Sequence, residues 1–216
     1  MKYLAAVLAV FLLGGLVFAA GCIGTTPSGP VKTGENVTVE FTMYIGDTVM
    51  VTSNESKYKE ILNAGKMPTP LILTEDPVIT VGAVTENDDI TIPSKTHKNP
   101  YWLLKGEYNV IAGNIAGLTK GDTIRVPIYA AGTEKTGFWT NAQCEEQGID
   151  KRLLKAGDRL TYTRMIGDTM PDANGTVDEG NLTNQQTMIH EMLVVSVTDE
   201  GLTYQELYDT VEITIV

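Results

Sequence analysis

GEYNVIAGNIAGLTKGDTIRV, residues 106 to 126, decides how the chain is read. An apolar pair, Val110-Ile111, stands between glycines, and Lys120-Gly121-Asp122 then reverses the chain. Beyond that turn Ile124, Val126 and Ile128 alternate with other residues, which predicts a strand with one buried face. A short helix of just over one turn is predicted at Asn114 to Leu118. On residues alone, Val110 and Ile111 read as core packing at the start of that helix.

The turn is not isolated. KTGENVTVEF (32–41), TKGDTIRVPI (119–128) and KAGDRLTYTR (155–164) each place a basic residue, a glycine and an acid ahead of alternating positions. Each reads as a turn feeding a half-buried strand, a recurring device at irregular spacing rather than a regular repeat. Strands are predicted at Asn36 to Tyr44, Thr123 to Ile128, Arg159 to Met165, Met192 to Thr198 and Val211 to Val216. Longer helices are predicted at Glu55 to Asn63 and Asn141 to Gln147. The fold class is therefore α+β, mostly strand with a few short helices. Residues 67 to 105 hold five of the nine prolines between short apolar runs and read as an irregular insertion carrying small edge strands. Residues 166 to 187 lack a large apolar cluster and read as an exposed loop or hairpin tip.

Several segments, taken in order, resemble the FKBP-type peptidyl-prolyl cis-trans isomerases, in the subgroup with a second domain inserted near the proline-binding flap. NVTVEFTMYI (36–45) resembles the opening strand, and TVMVTSNE (48–55) the strand that carries an aromatic and an acid. Gly106 to Gly113 resembles the approach to the proline pocket, and AGLTKGDTIRVPI the turn and strand that follow. NAQCEEQGIDKRLLKAGDRL resembles the entry to the inserted domain, MLVVSVTDEGLTY its later strands, and VEITIV the closing strand. The resemblance implies an antiparallel sheet wrapped on a short helix over 36–140 plus 208–216, interrupted by a small β-rich flap domain over 141–207 that grips unfolded clients. It implies a pocket walled by Phe41, Met50, Val110, Ile111 and Tyr129; Tyr101, Trp102 and Trp139 are further aromatic surface on composition alone, with core packing the ordinary role of buried aromatics. The chain departs from the pattern at Val51, where an acid is expected, at Asn114, often Trp, and at YQELYDT, where a Pro-Leu-Ala-Gly-Lys stretch is expected. Those departures imply weak isomerase activity. The alternative is a binding or chaperone module that kept the fold and lost turnover, and a third reading is an unrelated cell-surface lipoprotein.

Such an activity needs no cofactor. Rotation about an X–Pro bond is opposed by a resonance barrier of roughly 18–20 kcal/mol. The twisted amide has less charge separation than the planar one, so an apolar cleft with one donor for the carbonyl favours it. Neither metal nor nucleophile is called for. His190-Glu191 has no second His at helical spacing, and Cys144 lies beside acids that disfavour a thiolate. DANGTVDEGN (172–181) lacks the glycine and closing Glu of a calcium loop.

The N-terminus points to export. One cation, Lys2, precedes an apolar run from Leu4 to Ala20, and Phe18-Ala19-Ala20-Gly21-Cys22 resembles a lipoprotein cleavage site. Residues 1–21 are then a signal peptide, Cys22 carries lipid, and residues 22–35 are a spacer; an uncleaved anchor is the alternative. Either way the domain is tethered at the extracytoplasmic face of the cell membrane; the resemblance to the FKBP-type isomerases implies proline-containing or unfolded polypeptides as partners. Removing residues 1–21 takes away Lys2 and no acid, so 16 cations become 15 against 27 acids, a net −12. That balance argues against nucleic acid and anionic lipid as partners. Asn36, Asn54, Asn174 and Asn181 each open an Asn-x-Ser/Thr sequon.

Overall fold

A computed structural model describes residues 29–65, 71–88, 90–171 and 177–216. The signal peptide, Cys22 and Asn174 lie outside them. Among the described residues the elements run β1 (Asn36–Ile45), β2 (Thr48–Thr52), α1 (Glu55–Asn63), β3 (Ile72–Leu73), β4 (Val78–Thr80), β5 (Ile90–Ile92), β6 (Tyr101–Leu103) and α2 (Lys105–Asn114). They continue with β7 (Thr123–Pro127), β8 (Thr136–Thr140), α3 (Asn141–Glu146), a 3₁₀ turn (Lys151–Leu153), β9 (Arg159–Pro171), β10 (Val177–Val197), β11 (Gly201–Gln205) and β12 (Thr210–Ile215). The α+β mix is what the sequence predicts, arranged as two open sheets with few helices.

The first sheet runs β3-β2-β1-β12-β7, with β4 also paired to β1. The last strand lies between β1 and β7, antiparallel to both, with Phe41 opposite Ile213 and Ile213 opposite Ile124. Strand β12 alternates half-buried and buried positions, so Val211, Ile213 and Ile215 share one face. That face joins Val37, Val39, Phe41 and Met43 of β1 and Ile111, Ala112 and Ile115 from α2 and its C-terminal end in one core. Each such side chain removed from water contributes about 1.5–3 kcal/mol.

The second sheet runs β5-β6-β10-β11-β8, with β9 paired to β10. Strands β5, β6 and β8 lie outside residues 141–207, so this sheet starts earlier in the chain than the expected insertion. Residues 67–105 accordingly serve two sheets: β3 and β4 belong to the first, β5 and β6 to the second. Nor are 166–187 all loop. The β9–β10 ladder continues through Thr169–Leu182 and Asp168–Thr183, with register irregularities. Antiparallel pairing satisfies backbone groups whatever the side chains, so an apolar count alone misplaces the end of such a ribbon.

The helix expected at Asn114–Leu118 is displaced. Helix α2 spans Lys105–Asn114 and stops where a start was expected. Glu107 accepts the Leu104 N–H at 3.0 Å and so fixes the first turn. At the other end Asn114 Nδ2 donates to the Val110 carbonyl at 2.8 Å. Gly106 and Gly113 lie within the helix and neither has a positive φ, which is found instead at Gly117 and Gly121 after it.

Candidate functional site

The structure brings the five expected pocket residues into one core, but not around one opening. Phe41, Met50 and Ile111 are at most 1 % exposed, and Val110 and Tyr129 are half-buried beside them. Phe41 projects from β1 and Met50 from β2, while α2 supplies Val110 and Ile111. Tyr129 follows β7 and lies over the start of α2, where a Cβ on Gly106 would come within 3.0 Å of its ring and hydroxyl. Burial, with the carboxylates of Glu107 and Glu206, pushes the Tyr129 phenol above its ordinary value, so it stays a neutral donor. Val51, the position where the resemblance expects an acid, is fully enclosed and paired across to Met43 and Ile72. Asn114, at the expected Trp position, is exposed.

Behind this core runs a buried polar seam that sequence reasoning missed. Tyr101 Oη donates to Glu107 Oε2 at 3.2 Å, while Glu107 Oε1 is enclosed without a partner. Burial pushes the Glu107 carboxyl up to about 8, against the opposing hydrogen bonds from Leu104 and Tyr101. His190 stacks between Tyr208, with centroids 4.7 Å apart, and Tyr101, at 5.6 Å. Its ring nitrogens face the carbonyls of Trp102 at 3.0 Å and Glu206 at 3.2 Å. Burial nevertheless pushes His190 down to about 4, so the neutral ring donates to one carbonyl and turns a lone pair to the other. Glu191 accepts from Thr161 Oγ1 at 2.6 Å and is pushed up to about 7 by burial. Tyr208 Oη donates to the Glu191 carbonyl at 3.0 Å.

Chemically, the seam is a brace. His190 meets two backbone carbonyls rather than a nucleophile, so the base-and-orienter geometry of covalent catalysis does not arise there. Arg159 extends the brace between sheets by donating from Nε and Nη2 to the Val49 carbonyl at 3.0 and 2.7 Å. A signal was present in the sequence: the His190-Glu191 pair interrupts an otherwise apolar run, MIHEMLVV, and paired buried polar groups are informative. Among the described residues no group of three His, Cys, Asp or Glu side chains is placed to hold a metal ion.

Among the described residues, openings lie elsewhere. A cleft of about 230 Å³ separates β4 from β5, floored by Ile79, Leu103 and Tyr108 and bordered by Glu75 and Asp76. A second hollow, about 580 Å³, lies against α3 and the 3₁₀ turn, beside buried Cys144. Of the sequons, Asn36 is exposed and accepts from Thr80 at 2.7 Å. Asn54 instead caps α1 through the Lys57 N–H, with Nδ2 donating to Glu40. No helix of the described residues is long and apolar enough to cross a membrane. No family model matches the chain, and no curated protein matches it.

Proposed function

We infer that this chain is an FKBP-like protein, held by lipid at the extracytoplasmic face of the cell membrane, that grips proline-containing segments of exported polypeptides. One observation carries the reading. Helix α2 comes directly before β7 and packs on the sheet in which the last strand, β12, lies between β1 and β7, while β8 to β11 lie between β7 and β12 in sequence. That is the order expected of an FKBP-like domain with an insertion near its flap. The export and lipid attachment rest on Lys2, the apolar run and Ala19-Ala20-Gly21-Cys22.

Within this reading Val110 and Tyr129, the half-buried members of the set, meet the client first. Tyr129 supplies a neutral hydroxyl for the carbonyl of an X–Pro imide, and the apolar residues beneath favour the twisted amide over the planar one. The enclosure of Phe41, Met50 and Ile111 favours the second form of the reading, in which binding is kept and turnover is weak. Exchange between cis and trans forms of an X–Pro tetrapeptide, measured by NMR with and without protein, tests it. The expected result is suppression of client aggregation with an exchange rate raised tenfold or less, and less still for Tyr129→Phe. Neither acceleration nor protection of any client would remove the reading.

A further inference from the structure

The cleft between β4 and β5 has a construction that differs from a packing defect. Its walls use consecutive residues, Asp76-Pro77-Val78-Ile79 on one side and Ile90-Thr91-Ile92-Pro93 on the other. A strand face contributes only alternate residues, so consecutive lining marks the walls as strand edges. The pairing agrees: among the described residues β4 pairs only with β1, and β5 only with β6. At one end the two segments are tied by the Glu75 N–H to the Pro93 carbonyl at 2.9 Å and by a bridge between Thr74 and Ser94. From that closed end they diverge, leaving two strand edges without a further strand and an apolar floor between them.

Charge marks the occupant. Glu75 and Asp76 stand at the closed end, and among the described residues no cation lines the cleft; Lys98 lines the adjoining hollow beyond Thr91 and Pro93. Lys95, just beyond the cleft, is engaged by Glu55 at 3.1 Å, and Lys105 by Glu86 at 3.6 Å. Among the described residues Asp76 Oδ1 is enclosed without a hydrogen-bond partner, and a cation meeting the Asp76 carboxylate at the cleft offsets that under-compensated charge. Val78 projects at the mouth, 65 % exposed. We propose that this cleft takes an extended peptide with apolar and basic residues in alternation, added as a strand at the β4–β5 edges, its apolar side chains on Ile79, Leu103 and Tyr108 and a Lys or Arg against Asp76 and Glu75. The site is separate from the Phe41–Ile111 set. It rests on the reading that the chain grips extended polypeptide, and names the segment gripped.

Fluorescence anisotropy with the full chain tests it, using a labelled hexapeptide of alternating Lys and Val and its Glu-for-Lys counterpart. The Lys peptide binds at least tenfold tighter than the Glu peptide, and the preference falls at least threefold in Glu75→Gln/Asp76→Asn. Val78→Arg, at an exposed position that leaves the core intact, weakens the Lys peptide at least tenfold. N-methylation of alternate peptide nitrogens weakens binding in both registers, because a strand seated between the two edges uses the N–H groups on both of its sides. Equal binding of the two peptides, undiminished binding by folded Val78→Arg, or tolerance of N-methylation in either register overturns the proposal. Client aggregation, followed on the same samples, separates two failures. Protection of clients without discrimination between the peptides overturns this cleft alone, whereas neither protection nor discrimination overturns the client-gripping reading with it.

Discussion

Glu107 is fully buried, its carboxyl against the Tyr101 hydroxyl. Its carboxyl is raised to about 8 in the folded chain against an ordinary value of 4.5, so the native state holds a proton that the unfolded state releases. The associated stability is full below pH 4.5 and is lost as pH rises through 8. Glu191, raised to about 7, acts in the same direction over a narrower window. His190, lowered to about 4 from 6.5, loses its contribution only as pH falls below 6.5. Stability should therefore fall between pH 6.5 and 8, approaching about 1.4 kcal/mol per pH unit for each proton released. Urea melts at the two pH values check this, and Glu107→Gln should flatten the decline. Val51→Asp makes the opposite kind of test. An acid there would restore the residue the resemblance expects, but Val51 is enclosed and faces Met43 and Ile72. The substitution should cost at least about 3 kcal/mol in a urea melt without raising isomerase activity. The position was readable from sequence; its burial came from β3 pairing beside β2, a contact no local pattern encodes.

Turns were the most legible elements. In all three basic–glycine–acid motifs the acid's carboxylate accepts the N–H three residues earlier: Glu35 from Lys32 at 2.8 Å, Asp122 from Thr119 at 2.8 Å and Asp158 from Lys155 at 2.9 Å. The glycine between them has φ near +90° each time, a conformation that costs a Cβ-bearing residue about 1–2 kcal/mol. Gly121→Ala should therefore lower stability by about that amount. Gly113→Ala should instead raise it by up to about 1 kcal/mol, since Gly113 lies within α2 with open space at its Cβ position. Differential scanning calorimetry of the two variants checks both signs. Sequence alone places helix α2 too late, at Asn114 to Leu118, where the structure has its end. What holds it is tertiary: the seat of Ile111 and Ala112 on β1 and β12, and the packing of Tyr129 over Gly106.

At the scale of the whole molecule the two sheets share one core. Tyr101, Leu103 and Ile189 from the second sheet pack in the same cluster as Phe41, Met43 and Ile213 from the first. Arg159 and Tyr208 add hydrogen bonds across the join. A boundary drawn at residues 141 and 207 follows chain order and cannot show which strands cross it in space. Unfolding should consequently be a single transition, with Trp fluorescence and far-UV circular dichroism coinciding, rather than one per sheet. On the proposed reading the face beside α2 receives extended, proline-containing polypeptide. An amide-resolved NMR titration of the full chain with a proline-containing peptide measures this most directly. On that reading saturable shifts are expected at Gly106, Val110 and Tyr129. No saturable shift, or shifts confined to the hollow beside Cys144, would contradict it.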